Sequence, residues 1–310
     1  MNDPPALNID AQLLKQAAAA AAGEQQYPPA TLYLAATPIG NLADLTLRAV
    51  HVLGLVDALA CEDRRVSSAL LHHLVIDKPL IALHEHNEQA AAQQVLERLR
   101  QGQRVAYVSD AGTPAVCDPG ARLVARVCES GYRVMPIPGP SSAIAAFCVA
   151  GDANASGFRF CGFVPAKGAE RDRAIALAGR DPGAQVWFEA PHRIVALATA
   201  WAAAVPQRHL TLCRELTKQF ETVATMPAAE LPDWLDADAN RQRGEFVLVL
   251  HSLDPGAPDR SGADQALRVL DALLAELPLK QAVSLAARIT GQPRNALYRE
   301  ALARRADAPR

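Results

Sequence analysis

The chain has 310 residues, of which 50% are hydrophobic and 21% charged, and its formal net charge is −2. This composition predicts an ordinary water-soluble protein with room for two domains, and no apolar run approaches the roughly 20 residues of a membrane-spanning helix. The near-neutral charge disfavours nonspecific coating of nucleic acid but permits a local basic face.

Two further features point to a cytoplasmic protein. The first residues lack the basic region of a secretory signal. The six cysteines include no closely spaced pair of the kind that holds a metal ion, and most have apolar neighbours. We therefore expect reduced thiols, no disulfides and no structural zinc.

Residues 1–30 are predicted to be an appendage. An alanine run at 17–22 lies between Pro4-Pro5 and Pro28-Pro29, and no apolar periodicity marks a buried face. We expect residues 1–30 to form a disordered extension that contributes little to stability.

From residue 31 to residue 152, apolar runs alternate with helical patterns of 10–15 residues. This alternation predicts βαβ units and a parallel sheet. The predicted strands cover residues 32–36, 56–61, 80–83, 104–108 and 133–137. A polar loop follows each strand, and such loops converge on the sheet edge where ligands bind in parallel α/β folds. These loops are 37–41, 62–65, 84–87, 109–114 and 138–142.

The loop after the fourth strand is the clearest candidate for a site. Ser109-Asp110-Ala111-Gly112-Thr113-Pro114 supplies one acid, two hydroxyls and free backbone donors. Asp118-Pro119 then predicts a helix start, with Asp118 as the N-cap. An ordinary βα turn is the alternative, but the length and polar content of this loop favour a ligand site.

Residues 153–251 predict a second α/β domain. Strands are expected at 158–164, 184–189, 209–214, 221–226 and 245–251, with fewer helices between them. The strands at 209–214 and 221–226 are close enough in sequence to be antiparallel. The second sheet is therefore predicted to be mixed.

A segment rich in proline and glycine, 252–263, predicts a linker, and residues 264–306 then predict three short helices. Thr290-Gly291-Gln292-Pro293 between the last two resembles the turn of a helix-turn-helix, and a capping bundle or a dimerisation arm is the alternative. From Lys280 onward the sequence contains seven basic residues and only two acidic ones, so positive charge is concentrated at this end.

Several familiar kinds of site are disfavoured. His84 and His86 could share one strand face, but no third metal ligand is apparent, so no metal site is predicted. A Gly-x-Ser-x-Gly nucleophile elbow is missing, and neither Gly-x-Gly-x-x-Gly nor a Walker lysine loop follows the first strand. The remaining cleft of polar loops suits an adenosyl ligand.

A set of motifs in fixed order then resembles a known family. They resemble the ribosomal RNA small-subunit methyltransferase I family, within the tetrapyrrole-methylase-like S-adenosylmethionine enzymes. The resemblance covers about residues 31–251. The motifs are Thr-Pro-Ile-Gly-Asn (37–41), Ser-Asp-Ala-Gly-Thr-Pro (109–114), Asp-Pro-Gly (118–120), Pro-Gly-Pro-Ser-Ser (138–142), Phe-Val-Pro-Ala-Lys (163–167), Glu-Ala-Pro-His-Arg (189–193), Arg-Glu-Leu-Thr-Lys (214–218) and Gly-Glu-Phe-Val-Leu-Val (244–249).

The resemblance implies methylation of the 2′-hydroxyl of one cytidine in 16S rRNA of the small ribosomal subunit, with S-adenosyl-L-methionine as cofactor. It also implies two α/β domains, 31–152 and 153–251, with the cofactor in the trough between them, and a homodimer. The helical segment with Pro-Arg-Asn-Ala-Leu-Tyr (293–298) looks like the family's optional tail.

Site residues follow from the same motifs. The implied cofactor-binding residues are Pro38, Asp110, Ala111, Gly112, Thr113, Ser141, Ser142 and Glu189. One departure concerns the loop after the second strand, where Arg64 stands in place of the threonine in the family's Glu-Asp-Thr-Arg sequence.

A ribose hydroxyl is a poor nucleophile, so a nearby base would help the reaction. The sequence offers Glu62, Asp63 and Glu189 for this role and does not choose among them. Phosphates of the RNA could be held by basic residues of the same loops, although for each an internal ion pair or a solvated charge is the alternative. These candidates are Arg64, Arg65, Lys167, Arg193, Arg214 and Lys218.

Two other functions stay open at this stage. A tetrapyrrole methyltransferase of the precorrin type would share the fold and the cofactor. A ligand-sensing regulator whose tail binds nucleic acid would share the tail. The local basic residues favour RNA as the substrate.

Overall fold

The computed structural model describes residues 10–84, 87–117, 119–254 and 260–306, and these form two compact units. The first contains residues 10–175 and 183–252, and with them both sheets. The second contains residues 176–182 and 253–306. Within the described residues, no helix has the length and apolar character needed to cross a membrane.

The first sheet is parallel throughout, as predicted. Its strands are β1 (Thr31–Ala35), β2 (Ala58–Cys61), β3 (Leu80–Ala82), β4 (Val105–Val108) and β5 (Arg133–Ile137). They are arranged in the order β3-β2-β4-β1-β5, so β1 and β4 lie side by side at the centre. Every residue of β4 is buried because helices cover both faces of the sheet. The carboxyl ends of β2, β4, β1 and β5 therefore follow one another along one edge.

Five helices follow the strands of the first sheet. They are α2 (Leu47–Leu55), α3 (Arg64–His73), α4 (Glu88–Arg100), α5 (Ala121–Glu129) and α6 (Ser142–Ala150), with numbering that leaves α1 for the N-terminal helix Ala11–Ala22. The predicted start of α5 at Asp118-Pro119 is wrong. The helix begins at Ala121, directly after Gly120. Gly120 has a φ of +120°, which suits glycine, and a Cβ at this position would clash with the Tyr107 ring. Asp118 itself lies outside the described residues.

The second sheet is mixed, as predicted. Its strands are β6 (Phe158–Phe163), β7 (Ala184–Glu189), β8 (His209–Arg214), β9 (Thr222–Pro227) and β10 (Phe246–Leu250), in the order β6-β7-β10-β8-β9. Only β6 and β7 among these neighbours are parallel, and the predicted antiparallel pairing of β8 with β9 is confirmed. Three helices lie between its strands: α7 (Gly168–Arg180), α8 (Ile194–Ala204) and α9 (Leu231–Asp236).

Helix α6 connects the two sheets. Its small residues Ala143, Ala146 and Ala150 are buried in one apolar cluster with Val186 of β7 and Val247 of β10. Alanines allow a helix to lie close to a sheet, since their side chains end at Cβ. The loop that precedes α6 is thereby held between the first sheet and the second.

The predicted disorder of residues 1–30 is wrong for residues 10–30. Asp10 caps α1 by accepting hydrogen bonds from the Gln12 and Leu13 backbone amides at 2.9 and 3.3 Å. Ala18 is fully buried against the core that contains α2, and Arg104 Nε donates to the Tyr27 carbonyl at 2.9 Å. The sequence concealed this face because alanines make the contact, and an alanine run has no apolar periodicity. Residues 1–9 lie outside the described residues.

The C-terminal unit contains three helices, as predicted: α10 (Arg260–Glu276), α11 (Leu279–Thr290) and α12 (Arg294–Ala306). They share a core of small and aliphatic residues from all three helices. Gly291, with φ of +70°, ends α11 in the left-handed conformation that a helix C-cap favours. The predicted linker 252–263 extends too far, because α10 begins at Arg260; residues 255–259 lie outside the described residues.

Candidate functional site

The loops after β1 and β4 are joined to each other by their backbones. Thr37 N donates to Gly112 O at 2.9 Å, and Gly112 N donates to Thr37 O at 3.1 Å. The Thr37 hydroxyl also donates to Ser109 O at 3.2 Å. Because Thr37 and Ser109 are both almost completely buried, these bonds form away from water and fix the two loops as one piece.

The loop after β5 joins the same piece. Thr113 Oγ1 donates to Pro140 O at 3.0 Å. Gly112 has φ of +78°, and a Cβ there would lie 3.3 Å from Ile39 Cγ2, so glycine is favoured at the point where these loops meet. Ser141 occupies the N-cap position of α6 without capping it through its side chain, and Ser142 begins the helix. The predicted convergence of these three loops is therefore observed.

The loop after β2 is attached to the β4 loop through a carboxylate. Asp63 N donates to Asp110 Oδ1 at 3.0 Å. Asp110 is half-buried. Glu62 is also half-buried there, immediately after β2. Asp110 thus has a fixed orientation before any ligand binds.

The carboxylate of Asp63 already has structural partners. It caps α3 by accepting from Arg65 N at 2.7 Å, and it forms an ion pair with Arg65 Nη2 at 2.6 Å. The hydrogen bonds from the Arg65 side chain and backbone lower the pKa of Asp63 to about 2. A carboxylate with so low a pKa is a weak base, so its surroundings favour a structural role for Asp63.

Glu189 is paired as well. It is 3% exposed at the end of β7, and its Oε1 accepts from Ala190 N at 2.8 Å and from Arg193 Nε at 2.5 Å. The sequence predicts that Glu189 binds the cofactor or acts as the base, and that Arg193 contacts RNA. In the structure the two side chains form one buried ion pair with each other.

Most of the predicted phosphate-binding side chains have partners within the protein. Arg64 Nη2 donates to Leu80 O at 2.5 Å, and Arg214 Nε donates to Arg243 O at 2.6 Å. Arg65, Arg193 and Lys218 form ion pairs. Lys167 is exposed, and the Arg65 side chain is 90% exposed despite its pairing. The sequence leaves an internal ion pair as the alternative to phosphate binding, and several of these residues do form such a pair.

A loop of the second sheet faces the loop after β1. A Cβ on Gly40 would lie 2.5 Å from Lys218 Cγ and 3.1 Å from Thr217 Oγ1. This second loop is strained, because Glu215 and Thr217 have φ of +51° and +66°. The Thr217 hydroxyl is buried and has no hydrogen-bond partner among the described residues. The two sheets therefore contribute polar loops that approach each other.

Charged side chains hold the second loop in place. Lys218 Nζ donates to Glu215 Oε1 at 2.9 Å and lies 3.2 Å from Glu245 Oε2. Burial by itself would raise the pKa of Glu215, but the hydrogen bonds from Lys218 and from the Glu245 backbone outweigh it and lower that pKa. The sequence identified this Arg-Glu-Leu-Thr-Lys motif but assigned no role to Glu215 or Thr217.

A cavity of about 340 Å³ lies between α3 and the loops after β1 and β4. Pro38 and Asp110 line it together with Val66, Leu70 and His73 of α3. The sequence analysis named Pro38 and Asp110 but missed the α3 residues, which had no motif to mark them.

No cluster of three or more His, Cys, Asp or Glu side chains in the described part of the chain is arranged to hold a metal ion. The His84 amide donates to Asn87 Oδ1 at 2.8 Å, in a turn that leads into α4. His86, the other histidine of the His-x-His pair, lies outside the described residues.

The arrangement at this edge fits an adenosyl-amino acid ligand. Asp110 offers an oriented carboxylate for an ammonium group or a ribose hydroxyl, and Thr217 offers an unpaired buried hydroxyl. Backbone groups of the loop 111–113 and the half-buried Ser141 add neutral donors and acceptors. Such a set binds a polar cofactor by many modest contacts rather than by one strong charge.

Comparisons with known proteins identify the family that the chain resembles. A family model of tetrapyrrole (corrin/porphyrin) methylases matches residues 31–232, and a model of the RsmI C-terminal HTH domain matches residues 260–305. The ribosomal RNA small subunit methyltransferase I of Pseudomonas aeruginosa is 46% identical over 275 residues, covering 88% of this chain and 97% of that protein. Its counterpart in Neisseria meningitidis serogroup B is 47% identical over 274 residues, covering 88% and 93%.

Solved structures show the same fold at low sequence identity. A cobalt precorrin-4 methyltransferase matches with a TM-score of 0.54 and 17% identity, over 73% of this chain and 97% of that chain. A diphthine synthase matches with a TM-score of 0.57 and 14% identity, over 72% and 90%. These likenesses concern the architecture of the two sheets alone.

Proposed function

Because this chain belongs to the family of ribosomal RNA small subunit methyltransferase I, within the tetrapyrrole methylases, we propose that it methylates the 2′-hydroxyl of a cytidine in 16S rRNA. S-adenosyl-L-methionine is the proposed cofactor and the small ribosomal subunit the proposed substrate. The main structural support for this proposal is that direct hydrogen bonds join the loops after β1, β4 and β5. These loops lie at the edge of the first sheet where parallel α/β folds bind ligands.

When bound, the cofactor supplies an electrophilic methyl group on a sulfonium. The protein's contribution is to hold two partners in line, which alone can account for much of a rate enhancement. Asp110 is proposed to bind the amine or ribose of the cofactor, with Pro38, Ala111, Gly112, Thr113, Ser141 and Ser142 around it. The pre-existing bond from Asp63 N to Asp110 supports this role, because it orients the carboxylate in advance.

The three acids proposed as base differ in their surroundings. Asp63 is occupied as a helix cap, and Glu189 is paired with Arg193. Glu62 is half-buried directly after β2 and precedes Asp63 in the chain, and we propose it as a further candidate for the base. The variant Glu62→Gln is expected to lower kcat at unchanged affinity for S-adenosylhomocysteine, whereas a loss of that affinity would assign Glu62 to cofactor binding.

For RNA contacts, Lys167 and Arg65 are the best placed of the predicted cations because their side chains are exposed. Arg64, Arg193 and Lys218 are proposed to act only after exchanging an internal partner for a phosphate. Such contacts position the substrate without reading its sequence, and they weaken as salt rises. The proposed homodimer is tested separately by sedimentation.

The function is tested with small ribosomal subunits that lack the modification. Incubation with labelled S-adenosylmethionine should place label in 16S rRNA. Alkaline hydrolysis should then leave the labelled site uncleaved, because a 2′-O-methyl group blocks attack on the adjacent phosphate. Label on a base, or on a tetrapyrrole substrate only, would contradict the proposal. Cofactor binding without turnover on any RNA would favour the ligand-sensing regulator.

A further inference from the structure

The cavity beside α3 belongs to the first α/β domain alone. None of its lining residues comes from the strands or loops of residues 153–251, so it differs from the predicted trough between the two domains. Its volume of about 340 Å³ falls within the range of small-molecule pockets, which is roughly 300–1,000 Å³. It is large enough for a planar ring with part of a sugar.

The chemistry of the walls matches a flat, partly apolar ligand with a polar edge. Val66 and Leu70 supply apolar surface from α3, and Ser67 and Asp110 supply polar groups. His73 is the distinctive member. Its Nε2 atom is buried and has no hydrogen-bond partner among the described residues. A buried ring nitrogen in that state costs free energy unless a ligand or water supplies the missing bond.

His73 also borders a second cavity, of about 280 Å³. The other residues lining that cavity are leucines and one alanine, including Leu14 of α1 and Leu74. Their side chains offer no polar atom to a histidine nitrogen. A polar ligand that could hydrogen-bond His73 is better suited to the cavity beside α3, whose lining includes Ser67 and Asp110, than to this apolar cavity.

The position of this cavity favours the methyl acceptor as its occupant, rather than the cofactor that donates the methyl group. Pro38 and Asp110 line it and also belong to the proposed cofactor site. Methyl transfer requires the acceptor to lie beside the cofactor, and a compartment sharing these two residues meets that requirement. Proteins that recognise single-stranded RNA commonly bind an unstacked base by hydrogen bonds to its polar edge.

We infer that this cavity receives the base of the target nucleotide and that His73 Nε2 hydrogen-bonds the polar edge of that base. The inference rests on the proposed function and deepens it by assigning a base-recognition residue. Adenine in the cofactor has the same general chemistry, a planar ring with a polar edge. The experiment must therefore distinguish the RNA base from the cofactor base.

Three variants provide the test. His73→Phe removes the nitrogen and keeps a ring of similar size, and His73→Gln keeps a hydrogen-bonding group. His72→Phe is the matched control, because His72 is the exposed neighbour on the same helix end. For each, kcat/KM is measured with unmodified small subunits, the Kd for S-adenosylhomocysteine by calorimetry, and Tm for the free protein.

We expect His73→Phe to lower kcat/KM about tenfold, as for loss of one buried hydrogen bond. The Kd for S-adenosylhomocysteine should stay within twofold, and Tm should not fall because Nε2 has no protein partner to lose. His73→Gln should recover part of kcat/KM, and His72→Phe should match the unmodified chain in all three measurements.

Other results would overturn the assignment in distinguishable ways. Unchanged kcat/KM in His73→Phe would show that no base contacts His73. A tenfold weaker Kd for S-adenosylhomocysteine would place adenine in the cavity instead, and a lower Tm with equal losses in both histidine variants would assign His73 to the fold. If the unmodified chain labels no RNA, the proposed function itself fails, and this assignment fails with it.

Discussion

The two sides of the proposed cofactor trough hold their loops by different means. On the first side, Thr37 and Gly112 exchange backbone hydrogen bonds, and Thr113 reaches the carbonyl of Pro140. On the second side, Lys218 lies between the carboxylates of Glu215 and Glu245. Backbone bonds hardly respond to pH or salt, whereas ion pairs respond to both. The first side is therefore fixed by the chain, and the second is adjustable.

The largest effect is expected from the scaffold beneath the first side. A variant that starts at Tyr27 lacks α1, and so loses the contacts of the buried Ala18 and the bond from Lys15 Nζ to Val75 O at 2.9 Å. Its Tm should fall by roughly 5 °C or more, since about 1 kcal/mol corresponds to a few degrees in a chain of this size. Thermal unfolding followed by circular dichroism measures this change.

The same variant tests what α1 does for the site. Because the bonds between Thr37 and Gly112 and between Asp63 and Asp110 involve no atom of α1, affinity for S-adenosylhomocysteine below Tm should be unchanged. A Tm within one degree of the full chain would show that α1 contributes little to stability, as the sequence alone predicts.

The next effect concerns Asp110, whose carboxylate joins the loop after β4 to the loop after β2. Asp110→Ala removes the acceptor for Asp63 N and the carboxylate proposed for the cofactor. Hydrogen bonds to a charged group contribute about 1.5–3 kcal/mol, so we expect at least tenfold weaker binding of S-adenosylhomocysteine by calorimetry. Asp110→Asn keeps an acceptor for Asp63 N and should lose affinity while keeping Tm. Equal affinity in all three proteins would remove Asp110 from the cofactor site.

Sequence patterns predicted the first side better than the second for a physical reason. Strand periodicity and loop composition are local properties, so the parallel sheet and the meeting of the loops after β1, β4 and β5 followed directly. Some side-chain contacts join residues distant in sequence: Lys218 forms an ion pair with Glu245, and Arg64 donates a hydrogen bond to the carbonyl of Leu80. A single sequence does not reveal such partners.

Some of what the sequence missed was nevertheless local. Glu189 and Arg193 are four residues apart, a spacing at which opposite charges meet at the start of a helix. No local sequence pattern indicated the packing of the α1 alanines, because that packing depends on the shape of the fold. No pattern indicated the unpartnered nitrogen of His73 either, because its state depends on burial. Both required coordinates.

A third prediction concerns the place where the two sides touch. In Gly40→Ala, the new Cβ would lie 2.5 Å from Lys218 Cγ, and the pairs with Glu215 and Glu245 restrain Lys218 from moving away. The substitution should cost about 1–2 kcal/mol of unfolding free energy, as overpacking typically does. Urea unfolding measures the change.

Gly54→Ala is the matched control for Gly40→Ala. Gly54 lies in α2, and a Cβ there would have no atom within 4 Å. Alanine should therefore stabilise the helix by about 0.5–1 kcal/mol. Similar stabilisation by both alanines would show that the loops after β1 and β8 are farther apart in solution.

The smallest effect concerns the ion pairs that hold the second side. The pKa of Glu215 is lowered from its ordinary 4.5, because hydrogen bonds from Lys218 and the Glu245 backbone outweigh the effect of burial. A lowered pKa means that the stabilisation is fully present above pH 4.5 and is lost as pH falls through the folded value. In Lys218→Met, unfolding free energy at neutral pH should drop by no more than about 1 kcal/mol, because both side chains are partly exposed.

The pH dependence decides whether the second side is held by charge. The difference in unfolding free energy between the unmodified chain and Lys218→Met should be constant near neutral pH and should shrink below pH 4.5. As a control, Arg100→Met breaks the exposed pair with Glu97 at 3.4 Å and should change stability little at any pH. A difference for Lys218→Met that persists undiminished in acid would contradict the proposal that the ion pairs with Glu215 and Glu245 hold this loop.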